Sequence, residues 1–141
     1  MINAFTSGGL LAAAVLLLAA APAPAAAPRT RSAVRKAIVS YDKRLFAGDD
    51  RACPMMDERG RTQFVSSVRK VMRRRIRDCP EAVAAWGRLL RDSEFPLAEQ
   101  LKDITRARVS LHGSRATLFE SGARVWMLYV SGRWLVHRVS G

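Results

Sequence analysis

Reactive chemistry has few sources in this 141-residue chain: Tyr41 beside Asp42, then Glu120 and His137 far downstream, a dense run of cations, and two cysteines. A carboxylate and a hydroxyl facing an apolar cavity are what a proton-transfer site needs, the one taking a proton and the other holding the oxyanion that forms. Tyr41 falls on the apolar side of a helical pattern, whereas Asp42 lies about 100° further round, so the two do not share a face. Glu120 alternates with Ala116 and Leu118 toward the core side, yet it closes its segment, where a solvated rim is expected. His137 alternates with Leu135 and Val139 and is a candidate interior group, its ordinary role there being a hydrogen-bonded core residue. No Ser/His/Asp or Cys/His arrangement and no glycine-rich phosphate loop can be assembled, so no catalytic residue is assigned and the chain reads as under-equipped for an enzyme.

The cations are Arg69, Lys70, Arg73, Arg74, Arg75 and Arg77, six within nine residues. Continued as one helix, Arg69, Arg73 and Arg77 form a line with Lys70 and Arg74 beside it, while Val68, Val71, Met72 and Ile76 take the buried side. That ridge predicts binding to anionic lipid headgroups or a phosphate-bearing wall polymer, at about 1 kcal/mol per cation near an anionic surface. The competing reading is a solvated helix face partly neutralised by neighbouring carboxylates. Four of the 24 basic residues are lysine, the rest arginine, and such an Arg and Ala excess also follows from a GC-rich coding sequence.

Cys53 and Cys79 are the only cysteines, and their meaning depends on compartment. The first 27 residues carry no Asp, Glu, Lys or Arg, and Leu10 to Ala21 has the length and composition of a signal-peptide core. Gly8, Gly9 and Pro22 bound it too tightly to span a hydrocarbon layer, which takes about 20 residues. The small-x-small motif Ala23-Pro24-Ala25 predicts cleavage before Ala26, giving a signal peptide over 1–25, a flexible N-terminus over 26–31 and one domain over 32–141, with an uncleaved signal anchor as the competing reading. The expected location is secreted or periplasmic, where nucleic acid is a poor partner for the charge. An even thiol count there predicts one disulfide, against the alternative of two buried free thiols. Closing a loop of about 25 residues would stabilise the fold by about 3–4 kcal/mol in the chain-entropy model. The cysteines with His112 and His137 lack zinc-type spacing, and neither a metal nor a cofactor is expected.

The elements follow from periodicity. Val34, Ala37, Ile38, Tyr41 and Leu45 mark a first helix from Ser32, with Gly48 as its stop. A short helical turn over Arg51 to Met56 carries Cys53. Beyond a break at Gly60, Phe64 to Ile76 mark a helix ending near Arg77. Asp78 or Cys79 caps the next, with Pro80 in its first turn and Val83, Trp86, Leu89 and Leu90 on its stripe, and a final turn is expected at Pro96 to Leu101. The period then becomes 2, giving four strands with short links, an antiparallel meander over 106–139. Its third strand is apolar on both faces, with Val125, Met127 and Tyr129 on one and Trp126, Leu128 and Val130 on the other, and must be covered twice. Trp126 and Trp134 on adjacent strands read as cross-strand packing, with the lining of a pocket as the alternative.

A first helix ending in Ala47-Gly48-Asp49, the pair Ala52-Cys53 soon after, a second cysteine opening a later helix, the hairpin Gly113-Ser114-Arg115-Ala116-Thr117 and the terminal Gly132-Arg133-Trp134 together resemble the small exported members of the nuclear transport factor 2-like superfamily. That resemblance implies an α+β fold in which N-terminal helices pack on a curved four-stranded meander to form a cone. It also implies frequent dimerisation through the sheet and a disulfide between the two cysteines. It implies no activity, because the fold hosts enzymes, adaptors and inert binders. The expected role is an exported, non-enzymatic binding or accessory protein of the cell envelope. The alternative is a small apolar ligand binder, or an isomerase- or cyclase-like enzyme, using a cone cavity lined by Tyr41, Trp126, Trp134 and His137. A homodimeric scaffold with a closed interior is the third class.

Overall fold

The computed structural model describes residues 25–120 and 122–141, so the apolar run Leu10 to Ala21 lies outside the described residues. Helix α1 (Arg31–Ala47) is started by Thr30, whose Oγ1 accepts from the Ala33 amide, and stopped by Gly48 at φ 68°. A cap of each kind satisfies backbone groups that the helix itself leaves orphaned. Its buried stripe of Val34, Ile38, Tyr41 and Leu45 is the expected one save for Ala37, which is half-buried. A 3-10 helix (Asp50–Met55) places Cys53. Helix α2 (Glu58–Met72) is capped by Asp57, α3 (Cys79–Asp92) by Asp78, and α4 (Leu97–Arg106) runs a full turn beyond the short piece the sequence predicts.

Two helix boundaries differ from expectation, for physical reasons. Gly60 does not break α2 but lies in its first turn, where a Cβ would sit 2.3 Å from the Val136 carbonyl oxygen. The missing side chain lets α2 lie directly on the sheet. At the other end α2 stops at Met72, because Arg73 takes the left-handed conformation at φ 50° and the chain turns back to bury Ile76 completely. Arg69 fastens this turn by donating to the Ile76 carbonyl at 2.8 Å.

The strands β1 (Arg108–His112), β2 (Arg115–Glu120), β3 (Ala123–Val130) and β4 (Arg133–Ser140) form one antiparallel sheet in sequence order, the expected meander. The β3–β4 turn has positive φ at both Ser131 and Gly132, which matches strand twist in a two-residue hairpin. Register pairs Leu111, Ala116, Met127 and Val136 across one face, and Val109, Leu118, Val125 and Val139 beside them. This face packs on the helices. The opposite face carries Trp126 and Leu128, half-buried, and Val130, exposed. No second layer covers it among the described residues. Instead the Arg138 guanidinium lies over Trp126, 4.8 Å from the ring centre.

Both sheet edges are blunted. Arg31 and Arg35 reach from α1 to the Val109 and Ala107 carbonyls at the β1 edge, at 3.1 Å and 2.9–3.0 Å. Beyond β4, Met56 bridges Val136 and the Asp57 amide donates to the Val136 carbonyl at 3.1 Å, adding a fragment of a fifth strand. Satisfying these edge groups removes a template for unwanted strand pairing. The lead-in to α1, read from sequence as a flexible N-terminus over 26–31, has specific partners. Ala27 donates to the Gly132 carbonyl at 2.8 Å, Tyr129 donates to the Ala27 carbonyl, and the Trp134 indole donates to the Pro28 carbonyl at 3.1 Å. Two aromatic side chains with polar tips fix this segment, a signal that alternation along the strands does not carry.

Cys53 and Cys79 are disulfide-bonded with Cα atoms 6.0 Å apart, tying the 3-10 helix to the start of α3. No helix among the described residues is long and apolar enough to cross a membrane.

Candidate functional site

Between the helices and the covered face of the sheet lies a partly enclosed cavity of ≈ 440 Å³. Ile38 and Leu45 of α1, Phe64 of α2, Trp86 of α3, and Val125 and Val136 of the sheet supply apolar walls. Concave, mostly apolar spaces of this size with a few converging polar groups are the usual form of a small-molecule site. The polar groups here are Tyr41, Asp42, Gln100 and Glu120.

Each polar group arrives from a different element. Tyr41 is 6 % exposed and its hydroxyl donates to the Met56 sulfur at 3.5 Å. Burial, with the Asp42 charge adding to it, raises its ionisation well above the ordinary phenol range. Asp42 follows it on α1, half-buried at the cavity wall. Its pKa is raised to about 7, first by desolvation and then by the nearby Glu120 charge, while Gln100 pulls it down. Glu120 closes β2 on the covered face and is 9 % exposed. Its pKa is raised too, by burial first and by Asp103 second, against a hydrogen bond from the Gln100 amide. Gln100 of α4 thus donates to one carboxylate and lowers the pKa of the other. None of the four ion pairs among the described residues involves Asp42 or Glu120. No Lys, Arg or His among the described residues lines the cavity, in a protein of net charge +12.

Of the expected pocket residues, only Tyr41 lines this space. Trp126 lies on the uncovered face of the sheet, paired in register with Arg138, so it cannot reach the cavity. Trp134 is buried at 4 % exposure but packs edge-on against Tyr129, with ring centres 5.1 Å apart, under the N-terminal segment. Tyr129–Trp134 is therefore the cross-strand aromatic pair, in place of Trp126 with Trp134. The two-residue turn at Ser131-Gly132 sets that pairing, and a β-bulge in β4 accounts for His137: Trp126 pairs with Arg138 but Met127 with Val136, leaving His137 as the extra residue. Its Nδ1 lies 2.5 Å from Asp57 Oδ2, outside the cavity lining, tying β4 to the cap of α2. The bulge shifts alternation by one residue, which strict period-2 counting misses.

Asp42 and Glu120 were set aside on sequence, the one for its angle from Tyr41 and the other as a rim residue. The cavity spans enough of the α1 surface to include both Tyr41 and Asp42, and α4 covers the end of β2 so that Glu120 is buried. Gln100 carried no sequence signal at all, because its significance comes only from what α4 packs against.

The expected ridge of Arg69, Lys70, Arg73, Arg74 and Arg77 is not a helix face. Arg69 and Lys70 end α2, Arg73 terminates it, and Arg74 and Arg77 follow in the turn, both paired with Glu81 at 3.7 Å and 3.1 Å. Val71, assigned to the buried side, is 55 % exposed. Charge in the turn is thus dispersed and partly neutralised. Comparison with known proteins gives no matching family model, no similar curated protein and no similar solved structure.

Proposed function

We propose that this protein is an extracytoplasmic binding protein that holds a small, largely apolar ligand in the cavity between α1, α2, α3 and the sheet. Kinship with the nuclear transport factor 2-like superfamily belongs to the same proposal and rests on the sequence features that suggested it. The observation that carries the reading is the ≈ 440 Å³ apolar space into which two carboxylates converge without a basic partner among the described residues. Unpaired carboxylates accept hydrogen bonds, so the polar end of the ligand is a donor, a hydroxyl or an amine, and a carboxylic acid is excluded by like charge. Binding is favoured over isomerisation because Tyr41 is already committed to Met56 and Gln100 to Glu120, leaving no free donor among them to stabilise an oxyanion.

Trp86 gives the test its signal. A straight-chain alcohol, amine and carboxylic acid of equal length are titrated at pH 8 while indole emission is followed. Alcohol and amine should saturate and the acid should not, and Ala123→Phe, which fills the cavity from β3, should abolish saturation while leaving the far-UV spectrum unchanged. Saturation by none of the three, or saturation that survives Ala123→Phe, would reject the cavity as a ligand site.

A further inference from the structure

The face of the sheet turned away from the helices is a cationic surface in its own right. Register places Arg108 on β1, Arg115 on β2, Arg124 on β3, and Arg133 and Arg138 on β4, all on that face, and every one is exposed. No acidic side chain shares it: the remaining positions are Ser, Thr, His112 and the apolar Phe119, Trp126, Leu128, Val130 and Leu135. Arg31 and Arg35 extend the charge along the β1 edge. Unlike the turn after α2, where Glu81 neutralises Arg74 and Arg77, this face contains no internal counter-charge.

The geometry points to this open sheet face as a docking surface for an anionic phospholipid bilayer. Three of its guanidiniums lie over aromatic rings: Arg108 and Arg124 lie 4.4 Å and 5.4 Å from the centre of Phe119, and Arg138 lies 4.8 Å from that of Trp126. A cation–π contact uses none of the guanidinium N–H donors in a conventional hydrogen bond, and a guanidinium edge matches a phosphate oxygen pair. Stacking also restricts each side chain before any partner arrives, which lowers the ordering cost of binding. Between the arginines, Trp126, Leu128 and the 43 %-exposed Val130 offer the apolar contact that an interfacial layer accepts beneath its headgroups.

Two other occupants fit less well. A second copy through the same face would set five arginines against five with no acid between them, so the charge opposes the sheet-to-sheet dimer that the superfamily resemblance implied. Single-stranded nucleic acid needs ring faces on which bases stack, and here guanidiniums already lie over the rings of Phe119 and Trp126.

The test uses residues 26–141, the whole expected mature chain, and sedimentation with vesicles of phosphatidylcholine alone or with one-third phosphatidylglycerol. The chain should bind the anionic vesicles at low salt, not the neutral ones, and binding should fall steeply at half-molar salt. Arg124→Glu with Arg138→Glu should weaken binding at least tenfold, whereas Arg73→Glu with Arg75→Glu, in the turn after α2, should change it by less than about threefold. Arg124→Gln with Arg138→Gln guards against misfolding and should give an intermediate loss with an unchanged thermal midpoint. Absence of binding to anionic vesicles at low salt, equal loss from the two Glu pairs, or tighter binding to a single-stranded oligonucleotide than to vesicles would each overturn the assignment.

Discussion

Asp42 is the residue on which the chemistry of the cavity turns. Its folded pKa of about 7 lies above its ordinary value of 3.8, so the folded protein holds the proton more tightly than the unfolded chain does. The sign of the linkage follows: this group favours folding most below about pH 4, loses that contribution as pH rises through 7, and is level above it. Glu120 acts in the same sense, its pKa also being raised by burial. Asp42→Asn removes the buried charge, and we expect it to raise the thermal midpoint at pH 8 and to leave it nearly unchanged at pH 3.5. Melting curves across that range check this, and a variant no more stable than the parent at pH 8 would contradict the desolvated carboxylate. Sequence pattern showed which residue types stood near one another on α1. It did not show the dielectric around them, because that depends on α4 and the end of β2 closing over the same space.

Among the helices, α3 and α1 cross at close range. A Cβ on Gly87 would sit 2.6 Å from the Gly48 nitrogen and 2.7 Å from the Leu45 carbonyl oxygen, at the end of α1. Backbone offers no flexible tip to move aside, so Gly87→Ala should force the two helices apart and destabilise by about 1–3 kcal/mol. Chemical denaturation measures it, and a neutral outcome would mean that the crossing is looser than these distances describe. The start of α3 was legible where Asp78 precedes a periodic run, and the four strands where the period fell to 2, whereas the start of α2 at Asp57 was hidden by Gly60. The end of α2 was not. Arg73, Arg74 and Arg75 are acceptable helix formers, and what stops the helix is the need to bury Ile76 and deliver Cys79 to Cys53.

For the whole molecule, the disulfide joins the 3-10 helix to the start of α3, both of which pack on α1. Reduction should lower stability by about 3 kcal/mol, from the loop-closure entropy of a 26-residue separation. For a domain of this size the thermal midpoint should fall by roughly 10–20 °C. Melts with and without reductant test this, and coincident transitions would show that the cross-link constrains little. The two large surfaces of the sheet divide the molecule's work: the covered face closes the acidic cavity, and the open face gathers arginine. Segregating charge in this way keeps the cavity carboxylates away from the cations that would otherwise pair with them.

What the sequence determined by itself was local. Periodicity, caps and turn residues dictate α-helices followed by a meander, and an isolated cysteine pair dictates the cross-link, since these depend on neighbours along the chain or on there being no other partner. The tertiary structure decided which charges meet. Burial of Asp42 and Glu120 around Gln100, the one-residue shift that takes His137 to Asp57, and the gathering of five arginines on a single face all arise from packing between distant segments. Electrostatic environment depends on distance and solvent access in space, and neither is written in the order of residues.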